Sequence, residues 1–336
     1  MKGLLRLAIV GCGDIARYMA LFARLNPRIR LAACCDHKPE QAAAFSRRFA
    51  IPHVHTDYRA LFAQEAVDAV YLAVPHDLHF EILQSAIQAG LPALVEKPLT
   101  RTLAEGQEIL RLAQAAQVKV GVNYQYRYDT GCYALAMAAR RGDLGRLYFG
   151  RCNVPWQRTE DYFEQGAWRG RLAQAGGGTL LTQGSHALDI LLWALDSSPR
   201  AAQGLARQQR FTGVEVEDLA LGMLELESGA VLQISSTMLA NPEQAIRIEI
   251  YGEKGSAVYC DKPWPRATFR GVKVKKASPP VRGLHALQRS LEAFRQWVMD
   301  GQPYLVPAAA ALPALAAVDA IYRSACSGKK EYTDDR

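Results

Sequence analysis

Residues 4–16, LLRLAIVGCGDIA, constrain the fold of this chain more than any other stretch. The apolar run 4–10 reads as a buried strand. Gly11 permits the tight turn that follows. Gly13 has no side chain, so a pyrophosphate can approach the backbone there. Ala16 stands where close helix–strand packing asks for Gly or Ala. Ile15, Met19, Phe22 and Leu25 then fit one apolar face of a helix, whose amino end points at the phosphates. The turn residues Gly11, Cys12, Gly13, Asp14 and Ile15 are therefore candidate cofactor contacts. A second apolar run, 29–35, ends in Asp36, where a carboxylate receives the ribose hydroxyls of a dinucleotide. A glycine turn by itself also occurs as plain structure; the acid at the second strand end favours the dinucleotide.

Strand-like and helix-like runs alternate from there. Helices are expected over 39–49, 58–62, 80–89 and 103–116, and strands over 67–74, 92–95 and 118–122. Such alternation builds a parallel sheet covered on both faces, with ligands beyond the carboxyl ends of its strands. Asp36, the run Pro75 to His79, the run Glu96 to Pro98, and Asn123 all fall at that edge. After 123 the pattern changes. A helix over 129–141 and a strand over 147–156 precede a long polar and aromatic loop, 158–175. The glycine triplet 176–178 then opens a helix to about 194. Strands over 216–226, 230–238 and 246–251 are joined by turn signals at 227–229 and 252–255, which predicts a largely antiparallel sheet. Helices over 284–299 and 308–326 close the chain. The expected class is α/β: an N-terminal doubly wound parallel sheet over 1–122, and a C-terminal α/β domain with an open, largely antiparallel sheet over 123–336.

Composition excludes several functions. At 336 residues the chain has room for two domains, and 49% hydrophobic with 22% charged residues is the balance of an ordinary packed protein. The net charge of +7 is spread out, apart from Lys273, Lys275, Lys276 and the pair Lys329 and Lys330. These read as solvated faces, so no nucleic-acid partner is expected. No apolar run approaches ~18 residues, so no membrane partner is expected. The run 4–10, beside Lys2 and Arg6, leads straight into the glycine turn and reads as a strand, not a leader. Seven cysteines show no Cys-x-x-Cys pair and no Cys/His spacing for a metal. The expectation is no metal and reduced thiols in a cytoplasmic protein.

Two residues carry most of the chemistry. Lys97 follows a strand end, and Pro98 restricts its backbone, so its side chain is aimed. An amine at the mouth of a dinucleotide site can take or return the proton of a hydroxyl, and Glu96 can hold it in place. The alternative is a surface lysine beside a turn. His186 shares one helical face with Thr182 and Asp189, and imidazole shuttles protons near neutral pH. The alternative is a buried histidine bonded to Asp189. Arg158, Tyr162, Trp168, Arg169 and Arg171 in the middle loop offer stacking and anion-clamping groups. Tyr124, Tyr126 and Arg127 extend that lining. For each, rim packing is the competing reading. Of His76 and His79, one is expected near the nicotinamide and the other as a structural histidine.

Together these motifs resemble the Gfo/Idh/MocA oxidoreductases, named for glucose–fructose oxidoreductase, inositol dehydrogenase and a rhizopine-catabolism protein. The resemblance spans almost the whole chain. It rests on Gly11 to Ala16, Asp36, Pro75-His76-Asp77-Leu78-His79, Glu96-Lys97-Pro98, and the glycine-led helix ending in His186 and Asp189. It implies an amino-terminal Rossmann domain and a carboxyl-terminal domain for substrate binding and oligomerisation. The open sheet of that second domain would join a homodimer or homotetramer. It also implies NAD, with NADP possible, and hydride transfer at a secondary alcohol of a sugar or polyol. By carry-over Lys97 and His186 form the catalytic pair. Gly11 to Ile15, Asp36, Pro75, His76, His79, Glu96 and Lys97 contact the cofactor. Tyr126, Arg127, Arg158, Trp168, Arg169, Thr182, Gln183 and Asp189 contact substrate.

One departure matters. Many members carry an aspartate four residues before the histidine, where this chain has Thr182; a hydroxyl cannot take up a proton as a carboxylate does. Lys97 is then the principal base. The Thr-Gln-Gly-Ser-His run, with Trp168-Arg169-Gly170 upstream, is similar to the branch that includes nucleotide-sugar 3-dehydrogenases. Asp36 repels a 2′-phosphate and favours NAD, while Lys38 leaves NADP open. An NADPH-dependent keto-sugar reductase and a non-catalytic dinucleotide sensor are the competing readings, the sensor supported by Thr182 alone.

Overall fold

The computed structural model describes residues 3–333. Residues 1–2, with Lys2, and 334–336 are the outer ends of the two expected domains and lie outside the described residues. The chain divides into two compact units. One is Met1–Gln125 with Pro280–Ala311; the other is Tyr126–Pro279 with Leu312–Arg336.

The first unit begins with alternating strands and helices: β1 (Leu5–Val10), α1 (Asp14–Leu25), β2 (Ile29–Cys35), α2 (Pro39–Phe49), β3 (His53–His55), α3 (Tyr58–Gln64), β4 (Ala69–Leu72), α4 (His79–Gln88), β5 (Ala93–Val95), α5 (Leu103–Ala116) and β6 (Val120–Val122). The strands form one six-stranded sheet in the order β3-β2-β1-β4-β5-β6, every pair parallel. The order reverses between β1 and β4, which opens a crevice at their carboxyl ends. Leu5, Leu7, Ala8 and Ile9 are all fully buried, as a strand covered on both faces requires.

The face of α1 differs from the expected one. Ala16, Met19, Ala20 and Ala23 point inward, while Leu25 is 63% exposed. Small alanines let the helix axis come close to the sheet, so size outranks hydropathy here. Phe22 instead stacks on His285, with ring centroids 5.4 Å apart. Strand β3 was not anticipated; three mostly exposed residues at a sheet edge show no usable alternation.

The second unit holds α6 (Thr130–Arg140), β7 (Leu147–Pro155), α7 (Asp161–Glu164), α8 (Leu172–Ala175), α9 (Ser185–Leu195), β8 (Pro199–Arg207), β9 (Leu219–Leu226), β10 (Val231–Thr237), β11 (Arg247–Gly252), β12 (Ser256–Cys260) and β13 (Arg266–Arg270). The chain then returns to the first unit with α10 (Ala286–Asp300), and ends with α11 (Ala308–Ser327) and β14 (Glu331–Tyr332). The eight-stranded sheet runs β13-β12-β11-β7-β10-β9-β8-β14. Only β7 and β10 pair in parallel; the other neighbours are antiparallel. One face is covered: a Cβ on Gly150 would touch Leu191 of α9, and Cβ atoms on Gly204 and Gly222 would strike Ile321 of α11. The other face exposes Leu205, Leu221, Met223, Val231 and Tyr251.

Two expectations for this unit change. The stretch 158–175 is not a structureless loop: it holds α7, a 3₁₀ turn over Ala167–Gly170, and α8. Phe163, Ala175, Phe211, Val216 and Met238 give it a small core of its own. The helix expected from 176 begins as a turn, with Gly176 at φ +77°, then a π-helical segment, Leu180–Gly184, and only then α9. Strand β8, PRAAQGLAR, carries no apolar alternation that would predict it from sequence.

The expected second domain starts at 123, three residues before the observed start at Tyr126, and 280–311 is expected in the C-terminal domain but lies in the first unit. Hydrogen bonding explains the return. The Val122 N–H donates to Val306 O at 2.9 Å, and Asn26 Nδ2 donates to Glu292 at 2.6 Å, so α10 and the segment after it complete the edge at β6 and the flank of α1. Among the described residues no helix is long and apolar enough to cross a membrane.

Candidate active site

In the first unit the glycine turn has the geometry of an anion cradle. Gly11 has φ +89°, and a Cβ there would lie 2.3 Å from Ala73 O; only glycine fits. A Cβ on Gly13 would meet nothing within 4 Å, so space beside the turn is open. Gly13 is the N-cap of helix α1 and offers no side-chain cap, which leaves the first helical N–H groups for an outside acceptor. Asp14 in that turn pairs with Arg17 at 3.0 Å. Asp36 is buried. Its Oδ2 accepts the Cys12 N–H at 2.9 Å and its Oδ1 accepts the Lys38 N–H at 3.0 Å. One carboxylate thus ties the turn to the end of β2 and keeps lone pairs for further donors. Open cradle, uncapped helix and anchored acid fit a dinucleotide.

At the next strand ends, His79 is fully buried, with Nδ1 2.8 Å from Pro98 O and Nε2 3.1 Å from Val74 O. Burial holds its pKa below the usual histidine value, against the pull of those carbonyls. His79 is therefore the internally satisfied member of the two histidines, fastening the end of β4 to the turn at Lys97. His76, on the short turn after Pro75, has its ring 5.5 Å from that of His79. Lys97 is half-buried and joined to Pro98 by a cis peptide. Glu96 is buried; its Oε1 accepts from Tyr71 Oη at 2.5 Å and from Asn123 Nδ2 at 2.6 Å. Burial raises its pKa, while these donors and the nearby Lys97 ammonium oppose the rise.

In the second unit, His186 is buried and its ring stacks on Tyr126, centroids 4.9 Å apart and planes at 23°. Arg127, next in sequence to Tyr126, donates Nε to Asp189 Oδ2 at 2.9 Å and Nη2 to Oδ1 at 2.7 Å. Its guanidinium also lies 5.2 Å from the Trp193 ring centroid. Arg127 and Asp189, both expected to reach substrate, are thus committed to one another. Thr182 back-bonds to its own helix, its Oγ1 donating to Gly178 O at 2.6 Å. Gln183 Oε1 accepts from Thr179 Oγ1 at 3.1 Å.

The glycine triplet serves packing. A Cβ on Gly177 would sit 2.3 Å from Tyr322 Oη, and one on Gly178 1.8 Å from Glu217 O. The Glu217 carboxylate accepts the Gly178 and Leu180 N–H groups at 2.6 and 2.9 Å. That helix start already holds an internal anion. In the middle stretch, the Tyr162 ring has the Arg158 and Arg169 guanidiniums 5.4 and 4.8 Å from its centroid. Arg158 also lies over Trp156, and Arg169 near Trp168.

Residues 5–124 match the model of the oxidoreductase family with an NAD-binding Rossmann fold, and residues 127–258 match the GFO/IDH/MocA C-terminal domain. The chain belongs to the GFO/IDH/MocA oxidoreductase family. It is 27% identical over 303 residues to a 1,5-anhydro-D-fructose reductase of Ensifer adhaerens, covering 89% of this chain and 90% of that one. It is 24% identical to a D-glucoside 3-dehydrogenase of Escherichia coli, covering 97% of each. Among solved structures it is similar to the WlbA dehydrogenase of Bordetella pertussis in complex with NADH and UDP-GlcNAcA. The TM-score there is 0.87, with 26% identity and 98% of each chain covered. As a member of this family the protein is an NAD-binding oxidoreductase.

The sequence motifs did not reveal Tyr71, Ser290 or Tyr304, whose place beside Glu96 and Asn123 comes from contacts distant along the chain. Asn123 was visible as a strand-end residue, but nothing local signalled its bond to Glu96.

Proposed function

We propose that the protein moves a hydride between NAD and a secondary hydroxyl of a sugar, polyol or nucleotide sugar, with Lys97 as the base. The observation that carries this reading is the setting of Lys97: half-buried after the end of β5 and within electrostatic reach of the buried Glu96 carboxylate. NAD, when bound, supplies the hydride acceptor. The turn Gly11 to Ile15 holds its pyrophosphate, Asp36 its adenosine ribose, and Pro75, His76, Glu96 and Lys97 its nicotinamide end, with His79 bracing that edge. Lys97 takes the proton of the substrate hydroxyl, and His186, braced by Tyr126, hydrogen-bonds that hydroxyl. Thr182 spends its proton on Gly178 O, which leaves no carboxylate relay at that position. Tyr126, Gln183 and the set Arg158, Trp168 and Arg169 contact the substrate. Guanidiniums flanking an aromatic ring favour an anionic sugar, such as a nucleotide sugar or uronic acid. The UDP-GlcNAcA complex of the WlbA dehydrogenase supports this class, and the D-glucoside 3-dehydrogenase supports a sugar substrate more broadly.

The reverse reaction uses the same groups, with Lys97 donating the proton to a keto sugar; the reductase among the relatives favours giving it a direct test. We also propose a homo-oligomer joined through the exposed face of the eight-stranded sheet, where Leu205, Leu221, Met223, Val231 and Tyr251 lie. The seven unbridged thiols, five of them buried, support a cytoplasmic location.

A panel of neutral sugars, uronic acids and nucleotide sugars, assayed with NAD, NADP, NADH and NADPH by nicotinamide absorbance, tests the reading. NAD-dependent turnover of one sugar class, abolished in Lys97→Ala, is the expected result. Cofactor binding with no turnover of any class would overturn it in favour of a sensor.

A further inference from the structure

The Glu96 carboxylate is the inner end of a buried chain of hydrogen bonds. Asn123 Nδ2 and Tyr71 Oη both donate to Glu96 Oε1. Ser290 Oγ, on α10, donates to Asn123 Oδ1 at 2.8 Å. Tyr304 Oη lies 3.0 Å from Ser290 Oγ and 3.2 Å from Val122 O, and its one proton is shared between these two acceptors. Asn123 and Ser290 have no exposed surface, and Tyr304 is 6% exposed.

With Glu96 ionised, the donors and acceptors fix the orientation of the Asn123 amide. Ser290 gives its single proton to Asn123 Oδ1, so the Asn123 nitrogen must face Glu96. A flipped amide would set its oxygen against a carboxylate oxygen, acceptor against acceptor. An amide passes no proton along such a chain, so the set cannot act as a relay; it can hold a charge in place. Two donors on Oε1 favour the ionised carboxylate against its burial, and an ionised Glu96 stabilises the Lys97 ammonium.

We infer that Asn123, Ser290 and Tyr304 are positioning residues that lock the Glu96 carboxylate beside Lys97 and thereby set how readily the lysine gives up its proton. The mechanistic weight of this rests on Lys97 being the base. The lock itself is a property of the first unit, and part of it arrives from the returning segment 280–311. The other titratable groups facing this cluster are Tyr71 and His79. Burial raises the Tyr71 hydroxyl well above its ordinary value and keeps it a neutral donor. Burial lowers the His79 pKa, against the Pro98 and Val74 carbonyls that face its two ring nitrogens and with the nearby Lys97 ammonium.

The test reads Lys97 directly and needs no substrate. The full-length protein is labelled with trace acetic anhydride across a pH series, and acetylation of each lysine is quantified by mass spectrometry. Glu96→Gln removes the carboxylate charge, so the Lys97 midpoint should fall by about half a pH unit or more, roughly threefold in labelling rate at a fixed lower pH. Asn123→Leu should move it the same way. Ser290→Ala should produce part of the shift and Ser290→Thr restore the wild-type midpoint, while Lys38 and Lys119 stay unmoved. A Lys97 midpoint unchanged in Ser290→Ala and Asn123→Leu would overturn the inference, including the case where melting temperature falls or Glu96→Gln alone has an effect. Ser290→Ala deletes one hydroxyl and keeps the test open if Asn123→Leu fails to fold. If Lys97→Ala retained turnover, the base assignment would fail while the labelling result stood.

Discussion

The Arg127 guanidinium grips the Asp189 carboxylate through two nearly parallel hydrogen bonds, with both side chains at most 5% exposed. Tyr126, next to Arg127 in sequence, and His186, one helical turn before Asp189, stack on one another. The ion pair therefore braces the imidazole that the resemblance marks as catalytic. Burial raises the Asp189 pKa and Arg127 opposes it, so the carboxylate depends on its partner. Asp189→Asn or Arg127→Met should each destabilise the protein by about 3–5 kcal/mol, because each strands the other group. The double variant Arg127→Met/Asp189→Leu should recover much of the loss. Urea denaturation of all three checks this, and a double variant as unstable as the sum of the singles would count against it.

The two glycines of the cradle should fail in different ways. Gly11→Ala forces a side chain onto the Ala73 carbonyl at positive φ and should cost about 2–4 kcal/mol of stability. Gly13 has φ −77° and open space around its Cβ direction. Gly13→Ala should fold with unchanged melting temperature yet bind NAD about tenfold more weakly, the equivalent of one good hydrogen bond. Calorimetry for folding and fluorescence titration for NAD separate the two effects.

Lys97→Ala should lower kcat by about 10²–10⁴-fold, the range lost with a general base. NAD affinity should hold, since the cradle and Asp36 are untouched. Stopped-flow and steady-state rates on the sugar class found by the panel provide the check. Retained turnover would remove Lys97 from the chemistry.

Asp36→Ala should reduce the preference for NAD over NADP by about tenfold or more, because the repulsion of a 2′-phosphate disappears. It should also cost about 1 kcal/mol of stability, since the Cys12 N–H loses its acceptor. An unchanged cofactor ratio would show that this acid does not read the ribose.

On the exposed face of the eight-stranded sheet, the Glu249 carboxyl is buried yet bonded by Arg151, Tyr251 and Arg247. Burial pushes its pKa up, but these partners outweigh burial and hold it at about 2, down from the ordinary 4.5. A depressed carboxylate stabilises the fold fully above pH 4.5 and loses that contribution as pH falls toward 2. Glu249→Gln should be about 1–2 kcal/mol less stable at neutral pH, a figure reduced by the half-exposed arginines. The gap to wild type should close in acid. A gap independent of pH, by denaturant titration, would contradict the assignment.

What the sequence makes legible is local. The run from Leu5 to Ala16 and the acid at Asp36 are contiguous signals, and their geometry follows from backbone sterics alone. Hydropathy alone gives the wrong inward face for α1, because it ranks Leu25 above Ala20, whereas the sheet selects for small volume. The triplet Gly176 to Gly178 reads in sequence only as the opening of a helix; its packing role lies in Tyr322 and Glu217, far along the chain. The same distance hid the bracket beneath Lys97, since Ser290 meets Asn123 across 167 positions. His79 and the pair Arg127 and Asp189 were recognised as residues of interest, but only packing shows what each one holds.

The first unit also has a history during synthesis. Its six-stranded sheet is complete once residue 122 has been translated, but the ribosome must add all of 126–279 before α10 and Tyr304 emerge. Until then the edge at β6 has no cover in the nascent polypeptide, and Asn123 has no Ser290. A premature stop codon after position 279 would therefore damage the earliest-made half of the molecule as well as its tail.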